Sequence, residues 1–439
     1  MSGLAFGITP KMKPLAQKRS AVVAALDIGT SKIACLIGRL KPRSPDEVLR
    51  YRSHSVDIIG FGHTLARGIK AGTVVDIEQA EAAIRQCADL AERAAKVQLD
   101  AVIVAISSGR PASELICATI DMPGSSIGER EIARVLAAGS QHSVRTGRAV
   151  LHSLPLGYVV DNSTGVSDPR GMLAHRFGID MHVVSADASV ARNLMLTVER
   201  CHLDVEAIVA TPYVSGLSVL ADDEADLGAA VIDMGAGTTT IAVFAGGQFV
   251  HADGFALGGR HVTMDLARGL HARVSDAERI KTLYGSVLSG GSDERDMIAV
   301  PPVDHDENEP PQFVSRAALV RFIKPRLEEI FEMVRDRLKA SPFAAEPRGR
   351  VVLAGGASQL TGLTGVAAQV LGRPVRIGRP LGISRLPEEA KGPAFAAATG
   401  MMVYPQMAHL EHFEPRRTRH SQTGGGYIAR VGRWLRESF

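Results

Sequence analysis

Apolar and polar positions follow one shared pattern in two distant stretches of the chain. Val22 to Ile37 reads as an apolar run, then Asp27, a glycine, hydroxyl residues and a second apolar run, and Val231 to Phe244 repeats this around Asp233. Each spacing predicts a β-hairpin with a tight glycine turn. Other short apolar runs predict strands over Val56–Phe61, Leu99–Ile106, Phe177–Val184 and Val205–Val209. Helical spacing predicts helices over Val75–Ala95, with Asp76 as cap, and over Ser189–Cys201, Thr211–Leu220, Asp276–Gly285 and Ser315–Ala340. A third glycine turn at Gly355-Gly356 follows the apolar run Val351–Leu353 and opens a helix. From Ser107 to His182 the texture changes to turns bearing glycine and proline around a short helix at Glu129–Ala138. This stretch reads as a small α+β insertion and a partner-contact module.

The turns carry the candidate chemistry. Gly235 and Gly237 admit left-handed backbone and let N–H groups approach an anion with no Cβ in the way, so their turn can cradle phosphate. Asp233 then stands beside magnesium, reached through water because that ion gives up its hydration shell reluctantly. A plain hairpin would carry the same glycines. The second copy, about two hundred residues away, turns the reading toward a duplicated domain with a nucleotide between its halves. Gly355, Gly356 and Ser358 are placed to meet the sugar or base. None of the three turns has P-loop spacing, and Gly235-Ala236-Gly237 lacks the third glycine of a dinucleotide fingerprint. Together they resemble the actin/heat-shock chaperone/sugar-kinase ATPase superfamily.

Composition narrows this reading. A chain of 439 residues that is 45% hydrophobic can bury two large cores. No apolar run approaches the ~20 residues of a membrane span, and the basic start (Lys11, Lys13, Lys18, Arg19) has no apolar segment of a signal peptide. Four scattered cysteines read as buried free thiols of a reducing cytoplasm, and neither they nor the fourteen histidines form a metal-ligand cluster. Residues 411–439 hold six arginines against three acids, so basic ends flank a slightly acidic body. With no aromatic-and-basic surface motif, this argues against nucleic acid and for an anionic phospholipid surface. On a helix, Tyr427, Ile428, Val431, Trp434, Leu435 and Phe439 share one face, and Arg430, Arg433 and Arg436 lie opposite. Gly424-Gly425-Gly426 reads as a hinge before it. Such a helix is too short to span but can lie among headgroups. At about 1 kcal/mol per arginine the attachment is reversible.

Over nearly its whole length the chain resembles FtsA, the family of bacterial actin homologues of the cell-division ring. Asp27 to Lys32, Asp233 to Val243, His261 to Ala267 and Ala354 to Leu363 carry the resemblance. The hairpins specify the superfamily; the insertion and the tail specify the family. The resemblance implies an α/β fold of duplicated actin-like ATPase domains with nucleotide in the cleft between them, an inserted subdomain called 1C and a C-terminal amphipathic helix. Subdomain 1A would cover 21–106 and 183–227, with a return at 389–404; 1C would cover 107–182. Subdomain 2A would cover 228–262 and 341–388, and 2B would cover 263–340. A disordered start (1–20), a linker (405–426) and a membrane-targeting helix (427–439) complete the expectation.

By the same resemblance, ATP with Mg2+ is held by Asp27, Gly29, Thr30, Ser31, Lys32, Asp233, Gly235, Ala236, Gly237, Thr238 and Thr239, with Gly258 and Gly259. Adenosine lies near Glu278, Lys281, Gly355, Gly356, Ala357 and Ser358. Arg326, with Lys324, meets the acidic C-terminal peptide of FtsZ. Such a protein polymerises through actin-like contacts and 1C, tethers FtsZ to the cytoplasmic face of the cell inner membrane at the septum, and helps recruit later division proteins. Thr211 stands where the chaperone branch places a glutamate that orients the attacking water, which implies slow hydrolysis. A metabolic kinase of the superfamily would need a carboxylate base near the transferred phosphate and would have no use for the tail. An MreB-like scaffold would lack the insertion.

Overall fold

A computed structural model describes residues 9–16, 18–44, 52–141, 145–288, 290, 294–302, 311–345 and 349–412. The expected membrane-targeting helix therefore lies outside the described residues. The first apolar repeat folds as an antiparallel hairpin of Ala21–Ile28 with Lys32–Pro42, Asp27 opposite Ala34. The second folds in the same way, Ala229–Met234 with Thr239–Ala245, Asp233 opposite Thr240. Each hairpin sits in a sheet of one plan. In the first, the spatial order is His54–Leu65, Lys32–Pro42, Ala21–Ile28, Ala101–Ile106, Asp204–Ala210, with the two-residue strand Ile383–Ser384 added beside His54–Leu65. In the second it is Gln248–Phe255, Thr239–Ala245, Ala229–Met234, Arg350–Ala354, Val375–Ile377. Three antiparallel strands are followed by two parallel additions in both. The duplication read from two hairpins thus extends to five strands per half.

The central strands are buried almost throughout, as sheets with both faces covered must be. Helix Ile77–Ala95 covers the first with Ala83, Ile84, Cys87 and Ala91, and Asp76 caps it by accepting from the Gln79 N–H at 3.0 Å. Helix Arg316–Lys339 turns Leu319, Ile323, Leu327, Ile330, Phe331 and Val334 into the core of the second half.

The insertion has a core of its own, so there are three cores where composition suggested two. Strands Ala112–Ser126, Leu173–Asp187, Arg148–Val160 and Ser163–Val166 form its sheet, covered by helix Glu129–Gln141 through Ile132 and Val135 against Phe177 and Met181. Pro155 is accommodated within a long strand because pairing slips one residue between Asp180 and Met181. Cys117, expected to be buried, is exposed on Ala112–Ser126 at the edge of this sheet; Cys35, Cys87 and Cys201 are buried.

The packed body reaches further toward both ends than the reading of 1–20 as disordered and 405–426 as linker implies. Thr9 is buried, its hydroxyl donating to the Val150 carbonyl at 2.8 Å. Gln406 is buried, its amide oxygen accepting from the His54 N–H at 2.8 Å. His152 is the meeting point: its Nδ1 lies 2.8 Å from Glu411 Oε1, its Nε2 accepts from the Ala210 N–H at 2.8 Å, and Lys11 stands 4.0 Å from Glu411. Buried polar groups of this kind need such partners, and here both ends of the body supply them. Among the described residues no helix is long and apolar enough to cross a membrane.

Candidate functional site: a cleft between two carboxylate hairpins

Both hairpin turns close with the same hydrogen bond, the Gly29 N–H to the Lys32 carbonyl at 3.0 Å and the Gly235 N–H to the Thr238 carbonyl at 2.8 Å. The turns meet each other. A Cβ on Gly237 would fall 2.5 Å from Thr30 Oγ1 and 2.9 Å from the Ala71 Cα. Thr238 donates to Ser107 Oγ at 3.2 Å, and Thr30 Oγ1 accepts from the Gly72 N–H at 2.9 Å. Glycine is required here for close approach. Neither Gly235 nor Gly237 has a positive φ, which corrects the expectation of left-handed backbone. That conformation occurs instead at Gly355, with φ 82°, where a Cβ would lie 2.5 Å from Asp233 Oδ1.

Around these turns opens a cavity of about 540 Å³. It gathers Asp27, Gly29, Thr30, Ser31, Lys32, Asp233, Gly235, Ala236, Thr238, Gly259, Glu278, Lys281, Gly355, Gly356 and Ala357 from both halves. Four expected residues stand behind its wall. Gly237 is held between the turns. Thr239 donates to the Leu257 carbonyl at 2.8 Å, Gly258 packs its Cα on the Gly235 carbonyl, and Ser358 donates to the Gly355 carbonyl at 2.7 Å. The third glycine turn opens a 3-10 turn, Gly356–Gln359, before its helix begins at Leu363.

Burial shapes the charges in the cavity. It raises the Asp27 carboxyl, with Lys32 working against it, and lowers Lys32, with Asp27 and Asp233 working against that. Burial raises Asp233 to about 6; the Ser215 hydroxyl, which donates to Asp233 Oδ2 at 2.5 Å, pulls it down, and the neighbouring Asp27 charge pushes it up. Lys32 donates to the Ala394 carbonyl and lies 3.6 Å from the centre of the Phe395 ring. Glu278 and Lys281 share one helix face as expected, 2.8 Å apart, and Lys281 also donates to Thr263 Oγ1 at 2.8 Å. Two acceptor-only carboxylates beside a lysine, with hydroxyls and glycine turns around them, suit a hydrated divalent cation with a polyphosphate.

Several contributors escaped the sequence reading. Ser215 lies on the helix Thr211–Val219, whose first residue faces the cavity as well. Arg316, to which the sequence reading gave no part in the site, lines the cavity, its Nε buried without a hydrogen-bond partner among the described residues. Away from the cleft, Arg326 is not a free cation: it holds Asp265 at 2.6 Å and also pairs with Glu329, while Lys324 stands 3.7 Å from Glu328.

Comparison with known proteins places the chain in context. Residues 230–400 match the family model of the cell division protein FtsA, and residues 109–185 match the SHS2 domain inserted in FtsA. The cell division protein FtsA of Agrobacterium fabrum is 51% identical over 99% of this chain and 98% of its own length. That of Escherichia coli is 30% identical over 95% and 98%. Among solved structures, the PilM–PilN type IV pilus biogenesis complex aligns at a TM-score of 0.59 with 17% identity, over 88% of this chain and 98% of that one. MreB 5 of Spiroplasma citri bound to AMPPNP aligns at 0.53 with 13% identity, over 89% and 97%. The fold is that of the actin-like ATPases, with an inserted SHS2 domain.

Proposed function

Since the chain belongs to the FtsA family of cell division proteins, we propose that it is an ATP-binding protein that polymerises on the cytoplasmic face of the inner membrane and tethers FtsZ there. The observation that carries the nucleotide reading is the pair of hairpin turns, closed by the same bond and facing one cavity with a carboxylate each. Asp27 and Asp233 would hold a hydrated magnesium ion, whose charge offsets that of the phosphates. Gly29 to Lys32 and Gly235 to Thr238 would receive the phosphates, and Glu278, Lys281 and the Gly355–Ala357 turn the adenosine. MreB 5 of Spiroplasma citri, solved bound to ADP and bound to AMPPNP, supports nucleotide binding by this fold.

The subdomain plan goes with this reading. Subdomain 1A would be 21–106, 183–227 and 389–404, 1C would be 107–182, 2A would be 228–262 and 341–388, and 2B would be 263–340. The C-terminal peptide of FtsZ would meet 2B at Arg326 and Lys324. A second copy of the chain would meet 1C, and later division proteins would gather at the septum. The tail, 427–439, would lie on anionic phospholipid. Co-pelleting with anionic liposomes tests the tether, using full-length chain, a chain ending at residue 426 and Trp434→Glu, each with and without FtsZ. Trp434→Glu sets an unpaired charge in the apolar face and should leave a folded protein in the supernatant, with FtsZ beside it. Pelleting equal to wild type would refute the anchor.

A further inference from the structure

The last described residues lead into an apolar groove that the nucleotide reading does not use. Its volume is about 220 Å³, and Leu154, Leu156, Leu217, Leu220, Phe249 and Met407 line it. Such a space takes one or two large side chains, not a whole helix. Leu410 and His412 line it too, so the described residues end at the groove itself. That end is fixed, because the His412 N–H donates to the Ser153 carbonyl at 2.9 Å and Glu411 is buried against His152. On one rim the exposed Asp222 and Asp223 begin the helix Asp222–Leu227. Arg52 lines the groove too, close enough to Asp222 to feel its charge, and donates to the carbonyls of Leu381 and Leu217 at 2.8 and 3.2 Å.

The sequence beyond His412 has the complementary character. Fourteen residues, 413–426, precede a segment whose apolar side chains include the chain's only tryptophan and whose arginines are 430, 433 and 436. A glycine-bearing connection of that length reaches about 20 Å on average, and a short tether of this kind sets an effective concentration on the order of millimolar. Contacts too weak to hold a separate peptide are therefore enough to hold this one.

We propose that, away from lipid, the segment Tyr427–Phe439 docks on this groove of its own chain, apolar side chains inward and arginines toward Asp222 and Asp223. The proposal rests on reading the segment as an amphipathic helix. The groove and the membrane then compete for one apolar face, and the protein is released to the membrane only where anionic lipid wins. The groove's wall is the helix Thr211–Val219, whose Thr211 faces the nucleotide cavity and whose Ser215 holds Asp233, so the docked state bears on the cleft as well.

The single tryptophan makes this testable on the full chain. Trp434 emission and acrylamide quenching are measured without lipid, then titrated with vesicles of phosphatidylcholine and phosphatidylglycerol. Three proteins are compared: wild type, the rim variant Asp222→Lys with Asp223→Lys, and the plug variant Ala225→Phe. Docking predicts blue-shifted, quencher-protected emission in the wild type, lost in both variants. If about nine molecules in ten are docked, both variants bind vesicles about tenfold more tightly. Exposed Trp434 in lipid-free wild type, or variants that match it in emission and vesicle affinity, overturns the docking. Protection that disappears on dilution also overturns it, in favour of a second copy of the chain. The anchor reading is judged separately: a protected tryptophan with no vesicle binding by any of the three keeps the docking and removes the membrane.

Discussion

Ser215→Ala isolates the control of Asp233. The hydroxyl donates to a buried carboxylate that titrates at about 6, and removing it takes away a bond that favours the ionised form. A hydrogen bond to a charged group contributes about 1.5–3 kcal/mol. At about 1.4 kcal/mol per pH unit this moves the carboxyl up by about one to two units, to about 7–8. Asp233 would then pass from about nine-tenths ionised at pH 7 to about one half or less. Because a magnesium ion needs the carboxylate, wild-type affinity for Mg·ATP should fall as pH drops through about 6, and the variant's fall should be displaced to about pH 7–8. The unliganded fold behaves in the opposite sense. Its proton on Asp233 is held more tightly than in the unfolded chain, so this group's contribution to stability is full below the ordinary value of 3.8 and is lost as pH rises to about 6. That loss is about 3 kcal/mol at most. Calorimetric titration of Mg·ATP from pH 5.5 to 8.5, with thermal melts of the unliganded protein, reads both. An unchanged pH midpoint in Ser215→Ala would refute the assigned role.

Other sites give sharper yes-or-no outcomes. Gly237→Ala sets a Cβ 2.9 Å from the Ala71 backbone and should cost about 1–3 kcal/mol of stability together with nucleotide affinity, whereas Gly365→Ala, with open space around it, should cost neither; equal melts for the two would refute the contact between the turns. Arg326→Glu should abolish salt-sensitive binding of the FtsZ C-terminal peptide in calorimetry, while Asp265→Asn, which leaves the arginine paired with Glu329 alone, should tighten it; unchanged affinity in both would refute a peptide contact at this helix. Hydrolysis should be slow, because Thr211 at the cavity wall cannot take a proton from water and Glu206 does not line the cavity. Phosphate release at roughly one per second or faster would contradict this.

The sequence disclosed the parts of the site that are local. An apolar run, an aspartate, a glycine turn and a second apolar run specify a hairpin within some fifteen residues, and their repetition specified the pairing of halves. Helical spacing with Asp76 as cap was equally local, as was the face shared by Glu278 and Lys281. The features that stayed hidden depend on distant partners. Ser215 sits in an ordinary apolar helix and acquires meaning only because that helix crosses behind Asp233. Arg316 opens its helix among other charged residues, and only the fold, which sets it beside Lys281 and the Gly355–Ala357 turn in the lining, makes it a wall of the cavity. The burial of Thr9 and Gln406 has no signature in polar, proline-bearing ends; the strand at Val150 and the His54 backbone supply it. Gly237 was singled out for the right reason of space and the wrong one of backbone angle, since a glycine's letter does not say which it serves.

The joint at His152 has a mechanical consequence. Because Lys11 and Glu411 come within 4.0 Å of one another, the two ends of the body depart from the same corner. Lys13, Lys18 and Arg19 are exposed along the incoming stretch. A body suspended from one point can swivel freely. A second basic contact from these residues would supply a salt-sensitive torque on which way it faces. Under the proposed tether, the arrangement would set the azimuth of each subunit on a charged sheet of lipid.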